Sequence, residues 1–251
     1  MDLLYFLKSR LRFIEQLYDG AVSSFIETKR KIDASEPPYV DNRNPEYYDG
    51  EPAFLSEWQQ AHDSVNVLGY WCLCAVQASM QAYLKAYVGP SGACWWNAKR
   101  LEKKLRDKPR RASWFEKYRL LFLDDLGIDW TSGPVSLDEL EQLNLTRNDL
   151  NHNVDMMSLS VSRTREHAAR FPDGLFTDEL WTRDGMKFFG IDTLKVDKEK
   201  LSLAIKLVEE FCAWLEGIRC RYPHYIKETH GIDLLAARRE ARERRDVSPA
   251  V

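Results

Sequence analysis

Residues 65–88, VNVLGYWCLCAVQASMQAYLKAYV, place apolar side chains nearly all round a helix. A helix without a polar face is stable only when other helices surround it. This segment therefore predicts a long helix from about Ala53 to Tyr87, ended by Gly89-Pro90 and lying in the middle of a bundle. No stretch of the chain reaches about 18 consecutive apolar residues, so a membrane span is not expected.

The neighbouring segments supply the surround. Leu3, Leu4, Leu7, Leu11, Ile14, Leu17, Tyr18, Phe25 and Ile26 recur at helical spacing and predict a first helix from about Asp2 to Ile32, bent near Gly20. Residues 34–52, rich in Pro, Asn, Asp and Gly, read as a loop. Two further helices are expected on either side of Pro109, the second over about Ala112 to Leu126. Ser136 with Glu139 forms a capping box that opens a helix over LDELEQLNLTRNDLNHN. Asp184-Gly185, between runs of β-formers from Phe176 to Ile191, signals a hairpin within an insertion over 171–196. A last amphipathic helix is expected from Lys198 to Arg221, stopped by Pro223, followed by a charged, fraying tail over 232–251. The sum is an all-α fold, a helical bundle with a small inserted β-hairpin, forming a single domain over 1–251.

Several kinds of chemistry have no footing here. The five cysteines, Cys72, Cys74, Cys94, Cys212 and Cys220, are odd in number and scattered, unlike a disulfide framework. The N-terminal segment is interrupted by Lys8, Arg10 and Arg12 and lacks the apolar core of a signal peptide, so a reducing, cytoplasmic location is expected. Walker, GxGxxG, GxSxG, HExxH and CxxC patterns do not occur. Among His62, His152, His167, His224 and His230 no two stand four apart as helical metal ligands do. Neither a metal nor a cofactor is expected.

One segment stands out chemically. Arg147-Asn148-Asp149-Leu150-Asn151-His152 sets an arginine, a polar residue and a histidine close together. RNA carries its own nucleophile, the 2′-hydroxyl, so a metal-free nuclease needs groups to move protons and a cation for the phosphorane charge. Histidine, with an ordinary pKa of about 6.5, moves protons near neutrality. Arginine stays charged and grips two phosphate oxygens at once. Positions five apart on a regular helix lie about 140° apart, so Arg147 and His152 do not share a face well. Either the arginine bends back, or the helix is interrupted, or a dimer brings two copies of the segment together. The same Arg–His spacing recurs at Arg219–His224, but Cys220 follows that arginine and Pro223 lies inside the segment, which sets it aside.

With Arg, then Asn, then three residues, then His, the segment resembles the motif of the HEPN superfamily, and a long central helix upstream suits its helical bundle. Beyond those six positions the resemblance is architectural, over about Ala53 to Tyr222. It implies a homodimer with a composite site, in which Arg147 of one chain complements His152 of the other and Asn148 orients phosphate or His152. It also implies a toxin or antiviral-defence role, with an antitoxin or defence-complex partner. Some toxins of the family carry Tyr two residues after the histidine; here that position is Val154.

From Lys99 to Arg119 ten basic residues face three acidic ones, a balance that suits RNA. Lys103, Lys104, Arg110 and Arg111 are the candidate contacts, with Trp95, Trp96 and Trp114 as stacking platforms, although Trp114 and Phe115 also read as core. His167 in SRTREHAAR reads as a surface histidine or a second RNA contact. Asp124 and Asp125 read as a helix end. The expectation is a metal-independent endoribonuclease acting on RNA. Its rivals are a catalytically inactive HEPN-like interaction or regulatory module and a nucleotide-binding sensor.

Overall fold

The central helix of the computed structural model is α2 (Leu55–Val88), buried at Gly69, Tyr70, Leu73, Val76, Met80, Tyr83, Leu84 and Tyr87. The structure describes residues 2–43, 51–89, 92, 98–107, 113–155, 159–177, 193–230 and 236, with 220–230 described as backbone only. Seven α-helices run through them: α1 (Leu3–Asp33), α2, α3 (Ala98–Asp107), α4 (Trp114–Leu126), α5 (Leu137–His152), α6 (Arg165–Arg170) and α7 (Lys198–His230), with a short 3₁₀ turn at Trp130–Ser132. No described helix is long and apolar enough to cross a membrane.

Three long helices make the frame. α1 is capped by Asp2, whose carboxylate accepts from the Tyr5 N–H at 2.9 Å, and buries Leu3, Leu7, Leu11, Ile14, Tyr18 and Val22 at intervals of three and four. Leu17 and Ile26, expected in that stripe, are about half exposed, off the face that carries the buried residues. Lys8 pairs with Glu209 and Asp19 with Lys198, so α1 and α7 run antiparallel. Tyr83 and Tyr87 donate to the carbonyls of Cys212 and Leu215, so α2 and α7 run parallel. At the start of that pairing Gly69 lies against the Val196 carbonyl, and the Tyr70 hydroxyl donates to the Leu194 carbonyl at 2.7 Å. Trp130 closes the core, its ring edge-on to Phe115, Phe122 and Phe211, with centroids 4.9–5.3 Å away.

Shorter elements follow their local signals. Ser113 caps α4 and Gly127 ends it in the left-handed conformation, φ 66°. Ser136 caps α5, but its hydroxyl accepts from the Asp138 N–H rather than from Glu139. Three isolated antiparallel bridges, Val154–Val161, Ser162–Thr193 and Thr177–Leu194, tie the segments after α5 together. The hairpin expected at Asp184-Gly185 falls outside the described residues, as do the tail over 232–251 apart from Ala236, and Pro109. One boundary is corrected. Pro223 does not stop α7, which runs on to His230. Proline removes a single N–H donor, and the stripe from Leu201 to Leu215, already packed in the core, holds the helix that propagates through it.

Three core tyrosines make the fold sensitive to alkali. Tyr18, Tyr83 and Tyr118 are at most 8% exposed, and burial above all raises each phenol, Tyr18 to about 12 from an ordinary 10. A raised folded-state value favours the protonated form in the native state. The stabilisation is therefore complete below pH 10 and is lost as the pH climbs from 10 towards 12. Titration should show tyrosinate absorbance appearing together with the loss of helical circular dichroism in that window. Ionisation of all tyrosines near pH 10 with the helix signal intact would contradict the burial argument.

Candidate active site

α5 lies against α2 in a register set by polar and apolar pairs. The Gln77 amide donates to Asn144 Oδ1 at 3.5 Å, and both residues are buried. One turn along each helix stand Cys74 and Arg147. Burial raises the Cys74 thiol and the Arg147 guanidinium partly offsets this, so the two groups feel one another across the interface. A further turn on, Tyr70 and Trp71 share a hollow of about 330 Å³ with Leu150, Asn151 and Val154.

Arg147 is half-buried, and its Nη1 donates to Asn148 Oδ1 at 3.2 Å. Asn148 thus holds the arginine directly. His152 is exposed at the last position of α5, with Asn153 as the C-cap. The helix is unbroken between Arg147 and His152, which removes one of the three ways of bringing them together. What is left is the arginine bending back or the pairing of two copies of the chain.

Asp149, between the two, is 3% exposed, and both oxygens of its carboxylate are engaged. Oδ2 lies 2.6 Å from His167 Nδ1, while Oδ1 accepts from the Asn153 side chain at 3.0 Å and from the Thr164 N–H at 3.4 Å. His167 is 2% exposed, which corrects its reading as a surface residue or RNA contact. Thr164 caps α6, its hydroxyl accepting from the His167 N–H, and this turns the imidazole inward. The available signal was that capping threonine three residues before the histidine. Nothing in the sequence pointed to Asp149, 18 residues away.

The basic stretch divides. On α3 only Ala98 and Leu101 are buried, so Lys99, Arg100, Lys103 and Arg106 stand exposed. Lys104 pairs with Asp125. Trp114 packs against the core and Phe115 lies within it. Arg110, Arg111, Trp95 and Trp96 lie outside the described residues. Among the described residues no three His, Cys, Asp or Glu side chains converge as a metal would require.

Beside the motif the surface is apolar. Trp71 is 75% exposed, Val154 and Leu159 about half. Trp71 and Leu159 also border a groove of about 800 Å³ between α1 and α2, lined by Ile14, Leu17, Phe25 and Val67. At Arg219, Cys220 still distinguishes the second Arg–His spacing from the first, but the break assigned to Pro223 does not occur. Arg219 is ion-paired to Glu216 at 2.6 Å.

No protein-family model, curated protein or solved structure matches the chain.

Proposed function

We propose that the chain is a metal-independent, HEPN-like endoribonuclease that acts as a homodimer, in the manner of a toxin or antiviral-defence effector. The observation that carries the reading is the unbroken α5, which ends on an exposed His152 five residues beyond an Arg147 held by Asn148. His152 of one chain takes the proton of a 2′-hydroxyl, whose oxygen attacks the adjacent phosphorus. The P–O5′ bond breaks, and the imidazolium returns a proton to the leaving oxygen through water. Arg147 of the facing chain stabilises the phosphorane charge. The products are a 2′,3′-cyclic phosphate and a 5′-hydroxyl. The exposed face of α3, with Lys103, is a candidate for backbone contacts.

Pairing needs a surface, and exposed Trp71, Val154 and Leu159 beside the motif provide an apolar one. Trp71→Arg should turn the dimer into a monomer in sedimentation analysis and remove cleavage with it. A monomeric variant that still cleaves RNA would show that the site is complete in one chain. The test of the activity itself is incubation of transfer RNA in EDTA with wild type, Arg147→Ala and His152→Ala; only the wild type should cleave. The same apolar surface favours a second reading, an inactive interaction module. That reading gains if the wild type leaves RNA intact and Trp71→Arg still abolishes association.

A further inference from the structure

We infer that Asp149 and His167 are positioning residues for His152, a role that rests on the nuclease reading above. A buried carboxylate and imidazole 2.6 Å apart, on two different helices, form a costly arrangement unless fully hydrogen-bonded. Here both carboxylate oxygens are engaged, by His167, Asn153 and the Thr164 N–H. Asp149 stands one turn before His152. Its side chain holds the Asn153 amide, and its own carbonyl accepts from the Asn153 N–H at 2.8 Å. Asn153 is therefore gripped twice by Asp149, and its carbonyl accepts from the Ser162 N–H at 3.4 Å. The residue immediately after His152 has little freedom, and the end of α5 is fixed where the imidazole projects.

α6 acts as the splint. Arg170 forms an ion pair with Glu141, Nη2 to Oε2 at 2.6 Å, and the Leu175 N–H donates to Gln142 Oε1 at 2.9 Å. These contacts tie the α6 segment to α5, and His167 inserts from it to reach Asp149. A proton-transfer group at a helix end, the part of a helix most prone to fray, needs such a brace to hold a reactive geometry. Asp149 and His167 touch no substrate in this account. They act through the backbone of His152.

The test compares full-length wild type with His167→Leu, which removes the donor, His167→Asn, whose amide reproduces the position of Nδ1, and Asp149→Asn. Two readouts are taken, steady-state RNA cleavage and residue-resolved amide hydrogen exchange. In His167→Leu, kcat should fall about 10²-fold with KM nearly unchanged, because the loss is of geometry and not of binding. Exchange at Asn153 should quicken about tenfold or more while the α2 core amides keep their protection. His167→Asn should recover most of both, and Asp149→Asn should behave as His167→Leu does. Exchange that rises equally in α2 and α5, or not at all, overturns the brace whatever the activity. A local rise with wild-type kcat overturns its role in catalysis. A local rise in a protein whose wild type cleaves no RNA overturns the nuclease reading and leaves the brace as a structural feature.

Discussion

Gly69→Ala should lower the thermal midpoint by roughly 2–12 °C, although alanine is the better helix former by about 1 kcal/mol. A Cβ at this position would land on the Val196 carbonyl oxygen and 3.0 Å from its carbonyl carbon. Both are backbone atoms of the segment that leads into α7, and the Tyr70 hydroxyl pins that segment at the Leu194 carbonyl. The strain therefore cannot be relieved by turning a side chain; α2 and the start of α7 must separate. Overpacking of this kind costs about 1–3 kcal/mol and more where backbone must move, which outweighs the gain in helix propensity. Gly20, within α1, provides the control, since nothing lies within 4 Å of a Cβ built there. Gly20→Ala should raise the midpoint slightly. Calorimetry on both variants separates close approach from propensity: equal stabilisation by the two would mean that α2 and the Val196 segment are not in contact.

His152→Ala should reduce RNA cleavage by about 10³-fold, within the range for loss of a proton-transferring group, without changing the melting midpoint. Its side chain is exposed at the end of α5, so the fold makes little use of it. Arg147→Ala should cost about 10²–10³-fold through loss of transition-state charge stabilisation. The composite site predicts more than these two losses. Mixing and re-pairing the two inactive variants should restore about a quarter of the wild-type rate, because half of randomly paired dimers are mixed and each contains one intact site of two. No recovery on mixing would place both residues in a site within one chain.

Much of the frame was legible because it rests on local rules. The apolar run from Val65 to Val88 announced a long core helix, and α2 is that helix, although Trp71, Ala78, Ala82 and Lys85 leave one face of it exposed. Ser136 and the residues after it announced α5 to within a residue at each end. The failures have physical causes of two kinds. Proline is a strong local stop signal, yet a helix already anchored by Leu201, Val208 and Leu215 tolerates the loss of one donor at Pro223. The basic neighbours of His167 point to a surface, but Arg163 among them is itself buried, donating to the carbonyls of Phe171 and Pro172. Its partner lies on another helix, and a pairing between helices leaves no periodicity to read. Within the candidate site, Arg147, Asn148 and His152 were legible as residue types at a spacing. The Gln77–Asn144 register and the Asp149–His167 couple, which set where those residues point, were not.

The most direct measurement is mass spectrometry of the products formed from a short oligoribonucleotide in EDTA, run beside the same strand with 2′-deoxyribose at the nucleotide that donates the hydroxyl. The account predicts an upstream product ending in a 2′,3′-cyclic phosphate, a downstream product beginning with a 5′-hydroxyl, and no cleavage at the deoxy position. A 5′-phosphate, continued cutting at the deoxy linkage, or undiminished cutting by His152→Ala would contradict it.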